Sequence, residues 1–252
     1  MKIISVFVGL LALLLVDLAM AAGAVATSVT GAVSVQSGTA AARPLRQGDS
    51  VTQGDLIVTG AASSAVLRFD DGEITALTSN SRLQVTAYQY NPSNNSGNVF
   101  LSLISGGMKA ITGLIGRGSP NNVAYRAATA TIGIRGTEVD IVTDGDTVVV
   151  SVDSGKISFT YNGNTVTLDA GQGAFGKDGK ITTAAASQLF SNPAIANLAP
   201  VLGSVAALTA AINMSTGTEG SRNETFSTPS SATSPTAPGT GSGGGGTTVS
   251  SH

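Results

Sequence analysis

From Val25 to about Thr183, apolar residues recur at every second position in short runs separated by turn residues. Val29, Gly31, Val33 and Val35 hold one parity. Ala65, Leu67 and Phe69 form a second run, followed by Leu83, Val85 and Ala87 and then by Val99, Leu101 and Leu103. Further along come Val148, Val150 and Val152, then Ile157, Phe159 and Tyr161, then Val166 and Leu168. Side chains alternate between the two faces of a strand, so a period of two over four to seven residues predicts half-buried β-strands. Asn162-Gly163, Asp71-Gly72, Asp144-Gly145 and Asp178-Gly179 supply the backbone freedom that tight turns need. Strands returning every ~8–12 residues predict an all-β sandwich, barrel or roll rather than βαβ units. Gln47-Gly48-Asp49 recurs as Gln53-Gly54-Asp55. In each copy Gly turns the chain and Asp can close the turn onto backbone N–H groups, and the six-residue step fits a β-helical coil or local reuse of one turn.

One run breaks phase. In "ATATIGIRGTEVDIV", Ala128 to Val142, the apolar parity is even at Ile132 and Ile134 but odd at Val139 and Ile141. A bulge adds one residue to a strand, and Gly136 tolerates the backbone that this needs. With one extra residue at Gly136, all four apolar side chains share a face. Arg135, Glu138 and Asp140 then fall on the other, together with Thr129 and Thr131. The arginine can thus reach Glu138 or another carboxylate, or cap carbonyls at the bulge. Arg135, Glu138 and Asp140 are the candidate binding residues; the alternative is that they hold a strand crossing in register.

After Thr183 the period changes. Leu198, Val201, Leu202, Val205, Leu208 and Ile212 lie three and four apart, one stripe of a short helix, with Pro200 acceptable near its start. No Lys or Arg accompanies the stripe, so the helix is expected to pack on the β domain rather than lie on a membrane. Residues 213–252 are rich in Ser, Thr, Pro and Gly and bury too little apolar surface to offset ordering; a disordered tail is expected. At the other end Lys2, the apolar run Ile3 to Val16 and Ala19-Met20-Ala21 make a signal-peptide pattern with cleavage after Ala21. The expected organisation is a signal peptide at 1–21, a β domain at 25–183, a helical segment at 184–212 and the tail. The mature chain is expected to be periplasmic or secreted and to lack a membrane-crossing segment.

Composition narrows the chemistry. Only 11% of residues are charged and the net charge is −2, so no basic surface points to nucleic acid. There is no Cys, and the single His is His252. Thiolate chemistry, disulfides and lipid attachment at cysteine are excluded. A His-based triad or zinc site would rest on a chain terminus, and no metal or cofactor is expected. Asp70, Asp71 and Glu73 could serve acid/base hydrolysis or bind calcium, as could Asp144 and Asp146; turn acids are the plainer reading. Gly113 to Asn122 lacks the ending of a phosphate loop and reads as a flexible loop. The apolar run Met108 to Ile115 reads as a segment covering the core or as a partner patch.

Several of these pieces, in this order, resemble the FecR domain family. They are Gly31 to Val35, the paired Gly-Asp at Gly48 to Asp55, Thr59-Gly60, Phe69 to Gly72, and Ser81 to Leu83. Arg135-Gly136-Thr137, Val150 to Gly155 and the turn at Leu168 to Gly171 follow. The resemblance spans about Thr27 to Gly176. It implies a compact FecR-like β-sandwich or β-solenoid of many short strands, with one short C-terminal helix and a disordered tail, and no catalysis. In the family's iron-transport regulators such a domain sits in the periplasm, receives a signal from an outer-membrane receptor, and is joined to a cytoplasmic segment that controls a sigma factor. This chain has a signal-peptide pattern in place of that segment and no second α/β module. What carries over is a recognition module of the bacterial cell envelope with a protein or polymer partner. The alternatives are a secreted surface or matrix module and, third, a glycan-acting enzyme using Asp70, Asp71 and Glu73.

Overall fold

The structure, a computed structural model, describes residues 23–217. The expected signal peptide and most of the expected tail lie outside them. The strands are β1 (Gly23–Thr30), β2 (Val33–Ser37), β3 (Arg43–Pro44), β4 (Ser50–Thr52), β5 (Asp55–Thr59), β6 (Ser64–Phe69) and β7 (Ile74–Leu77). There follow β8 (Arg82–Asn91), β9 (Ser96–Ile111), helix α1 (Leu114–Gly118), β10 (Val123–Ala127), β11 (Ala130–Asp144) and β12 (Thr147–Tyr161). Last come β13 (Asn164–Asp169), β14 (Gln172–Lys177), β15 (Lys180–Ala185), α2 (Ala186–Leu189) and α3 (Ala199–Gly217).

All fifteen strands belong to one hydrogen-bonded sheet, folded on itself into two layers. Strands β9, β11 and β12 are the long ones, at 16, 15 and 15 residues, and each serves both layers. In the front layer the first half of β9 pairs with β8 and, in parallel, with β10; β10 pairs with the first half of β11. The end of β12 continues that layer to β13. In the back layer β10 is gone, and Gly106 to Ile111 of β9 pair directly with Thr143 to Glu138 of β11. The back layer extends through β7, β6, β1 and β4 on one side and through β12, β14 and β15 on the other. Apolar side chains from both inner faces make one core, including Leu83, Leu101, Tyr125, Ile134 and Phe159 from the front and Leu67, Phe69, Met108, Ile141 and Val150 from the back.

The out-of-phase run is accounted for. Ile132, Ile134, Val139 and Ile141 are all buried in that one core. The register slips between Arg135 and Glu138, and Gly136 has φ +59°. The bulge is also the corner where β11 passes between layers. Gly106 (φ +89°) and Gly155 (φ +79°) mark the equivalent corners of β9 and β12. Hydroxyl groups fasten these corners. Ser81 Oγ accepts from Gly107 N–H (3.0 Å) and donates to its carbonyl (3.1 Å). Thr112 Oγ1 accepts from Thr137 N–H (2.9 Å) and donates to the Thr137 carbonyl (2.9 Å).

Several local expectations are corrected. Most strands are short as expected, and three are long because glycine corners carry them through both layers. Val29 and Val33 lie on separate strands, since the chain turns at Gly31 (φ +73°). Met108 to Ile111 is the second half of β9, and the following Gly-rich stretch contains α1. The paired Gly-Asp turns behave as expected: Gly48 and Gly54 have φ of +88° and +91°. Asp49 accepts from Arg46 N–H (3.0 Å) and Asp55 from Thr52 N–H (2.8 Å).

Helix α3 covers the outer face of the back layer. Leu202 and Val205 pack with Val142, Val149 and Phe175, and Leu208 and Ile212 pack with Val66 and Ala76. That makes the back layer buried on both faces, which explains the unbroken Val148-Val149-Val150. The helix runs to Gly217, past the expected end at residue 212, because no Gly or Pro lies between Ile212 and Gly217. By length and composition Pro193–Asn213 is apolar enough to cross a membrane, against the expectation that no segment after the leader could do so. In the folded chain its apolar stripe lies on the sheet.

The corners differ in tightness. A Cβ at Gly155 would lie 2.2 Å from the Gly136 carbonyl oxygen, whereas one at Gly136 would meet nothing within 4 Å. Gly136→Ala is expected to cost about 1–2 kcal/mol, the strain of a left-handed alanine. Gly155→Ala adds a backbone clash and is expected to exceed ~3 kcal/mol in urea unfolding.

Candidate functional site

The three long strands run side by side in the back layer, and their outward side chains meet there. Asp140 on β11 stands opposite Lys109 on β9 and Ser151 on β12. Lys109 Nζ lies 2.9 Å from Asp140 Oδ1, 3.0 Å from Glu138 Oε1 and 2.5 Å from Asp153 Oδ2, and its side chain is sealed from solvent. The Asp153 contact is a hydrogen bond; the Asp140 contact is an ion pair whose Oδ1 lacks hydrogen-bond alignment. Burial alone would lower the Lys109 pKa, but Asp140, Asp153 and Glu138 outweigh it and hold the ammonium charged well above the usual lysine range. Burial pushes the Asp140 carboxyl up to about 6, against the pull of Lys109.

Glu138 and Asp140 are therefore together, but not with Arg135. The corner at Gly136 divides the polar face of β11: Arg135 points out of the front layer, and the two acids point out of the back layer. Arg135 is exposed, faces Lys156 across the strands, and among the described residues has no acid in ion-pair contact. Sequence reasoning missed Lys109. The available signal was a lone lysine inside an apolar strand, which needs a buried counter-charge.

The outer face of the front layer carries different chemistry. Arg82, Phe100, Ile104, Arg126, Arg135 and Lys156 are all exposed on it. Ile104 is 50% and Phe100 36% accessible, high for large apolar side chains. Lys156 pairs with Asp169 at 2.5 Å; Arg82 and Arg126, like Arg135, have no ion pair among the described residues.

The turn acids resolve into structural roles. Asp71 is buried; its Oδ1 accepts from Tyr88 Oη (3.3 Å) and Glu73 N–H (3.2 Å), and its Oδ2 accepts from Ile115 N–H (3.3 Å) at the start of α1. Glu73 is fully buried beside Tyr125 and Thr75, without aligned hydrogen bonds to its oxygens. Burial, and secondarily the Asp71 charge, raise its pKa well above the usual carboxylate range. Asp70 accepts from Gly23 N–H at 2.8 Å. No group of three or more metal-ligating side chains occurs among the described residues. These acids, plainly read as turn residues with hydrolysis or calcium as alternatives, thus close a turn, cap a helix and fill the core.

Residues 55–158 match the family model described as FecR protein. That segment is a FecR-domain match. The match takes in both halves of β9, the Arg135-Gly136-Thr137 corner, Lys109 and all three of its acids. Two solved chains, each from a crystal structure of a "putative anti-sigma factor" from Parabacteroides distasonis ATCC 8503, are similar to this one. They share 14% and 13% identity with TM-scores of 0.43 and 0.42, and each comparison covers 53% of this chain and 62% of the other. The likeness therefore spans less than two thirds of those chains. No curated protein matches the chain.

Lys109→Met keeps the apolar stem and removes the charge, leaving Asp140 buried without its cation. At pH 7 the expected cost is about 3–5 kcal/mol in chemical unfolding. The Lys109 contribution is complete below the ordinary lysine pKa, so pH 7 reads it in full. Asp140 has a folded pKa raised above its unfolded value, so its charged burial opposes folding above about pH 6 and not below the ordinary aspartate pKa of ~3.9. The cost of Lys109→Met is therefore expected to shrink as pH falls from 7 to 4. Glu73→Gln, which replaces the buried carboxyl with an amide of the same shape, is expected to stay within ~1.5 kcal/mol of the parent in the same assay.

Proposed function

We propose that this chain is an exported, non-enzymatic recognition module of the bacterial cell envelope that binds a protein partner. The observation that carries the reading is the contrast between the two outer faces. The back layer is closed by α3, while the described residues leave the front layer open, with Phe100, Ile104 and unpaired arginines on it. Aromatic and arginine side chains are the groups enriched in protein interfaces. The FecR domain and the signal-peptide pattern support an envelope role. The structural duties of Asp71 and Glu73 argue against glycan hydrolysis, since neither carboxyl is free to reach a substrate.

The reading is tested with a photoreactive residue in place of Phe100, in the full chain, in intact cells. A discrete crosslinked product containing a second envelope protein is expected, and absent when the residue is placed at Thr182 on the edge strand β15. Recovery of the chain in the cytoplasmic fraction, or no protein crosslink at Phe100, would overturn it.

A further inference from the structure

The front face is grooved rather than flat. One row of cross-strand neighbours runs Phe100, Ala124, Gly133, Ser158, Thr167 over β9 to β13. After Phe100 these side chains are small, and they floor a groove of about 360 Å³. The row on one side contains Arg126, Thr131 and Thr160. The row on the other contains Arg135 and Lys156, backed by Pro120 and Asn121. Gly133 keeps the floor low, since a Cβ there would lie 2.6 Å from Ser158 Oγ. With strands about 4.8 Å apart, four spacings make a trough ~19 Å long, the length of roughly six extended residues.

Charge is distributed unevenly around this trough. The chain has 13 basic and 15 acidic residues, yet the trough's rims hold Arg126, Arg135 and Lys156 against Asp169 alone. Asp169 is engaged by Lys156, which leaves two guanidinium groups unmatched, one on each rim. Guanidinium groups bind carboxylates in a bidentate fork, and each rim can take acids from alternate positions of one extended strand.

We propose that this trough binds an extended acidic segment of the partner protein, its carboxylates on successive residues pointing to opposite sides, one to Arg126 on one rim and the next to Arg135 on the other. The inference rests on the recognition reading above and names the chemistry of the partner. An anionic bilayer is the competing occupant. Adjacent strands twist by ~20–25°, so the directions of Arg82 on β8 and Lys156 on β12 differ by roughly a quarter turn. A planar surface meets only part of such a face, whereas a peptide follows the trough.

The test uses the mature chain and a fluorescein-tagged octapeptide of consecutive glutamates, read by anisotropy at low salt. Saturable binding is expected, weakening as salt shortens the screening length to below ~8 Å. Arg126→Glu with Arg135→Glu should lower affinity at least tenfold. Gly133→Val, which fills the floor without touching charge, should do so too. Lys180→Glu, on the far edge of the back layer, should leave it unchanged. No saturation by about 1 mM peptide, or equal affinity in the double variant with its thermal transition intact, would overturn the proposal. So would retention on phosphatidylglycerol vesicles that depends on the same arginines while the peptide does not bind, which would assign the face to lipid. A surviving Phe100 crosslink alongside failed peptide binding removes the acidic trough and leaves the recognition reading standing; loss of that crosslink removes the reading itself.

Discussion

The architecture depends on backbone contact at the corner where β11 and β12 change layers. Gly155 stands against the carbonyl of Gly136, too close for any side chain. Both residues have left-handed φ angles, which other residues adopt only at a cost. Because β11 and β12 bend at the same level, their hydrogen-bond ladder survives the corner with one extra residue on each strand. Register lost at Gly136 is recovered at Asp153, and Val139 stands opposite Val152. The core is continuous only because these slips compensate. One uncompensated slip would turn every later apolar side chain of β11 outward.

The same corner sets the electrostatics. Past Gly136 the polar side of β11 faces out of the back layer, where α3 and its neighbours exclude water. Carboxylates there are costly unless paired. Lys109 lies directly opposite Asp140 on β9, and the compensating bulge on β12 supplies Asp153. Three acids converge on one ammonium, so the pairing is over-determined: Glu138 and Asp153 are partly exposed, and Asp140 carries most of the desolvation. Arg135, one step before the corner, escapes this arrangement entirely. The sequence pattern groups it with Glu138 and Asp140, whereas in the fold it is exposed and faces Lys156.

What the sequence revealed follows from what local pattern can encode. The period-two runs, the turn glycines, the Gly-Asp turns and the added residue at Gly136 are all local, and apart from the runs broken at Gly31 and after Val85 they appear in the fold. The apolar stripe of α3 was legible for the same reason. The division of β9, β11 and β12 between two layers was not, because alternation continues through a corner once a bulge resets it. Lys109 was hidden by separation: its partners lie 29 to 44 residues away, and only the pairing of β9 with β11 brings them together. Asp71 and Glu73 read as turn acids, and Asp71 does close the turn; their burial was not legible, because it comes from packing between the β6–β7 hairpin and α1.

The two outer faces bear on function because they obey different constraints. A sheet face covered by a helix must be apolar or fully paired, and the back layer is both, with Val142 and Val149 under α3 and Lys109 neutralised beside it. The front face has no such cover among the described residues, so nothing in the packing requires Phe100, Ile104 or its arginines. Exposed Ser and Thr already satisfy solvation on that face at Thr131, Ser158, Thr160 and Thr167. Stability would be served equally well by more of the same. A large aromatic at one end of a small-residue trough, with guanidinium groups on both rims, adds nothing to folding that smaller polar residues would not. On the proposed reading, contact with another molecule accounts for them, and the closed back layer leaves the front face free for it.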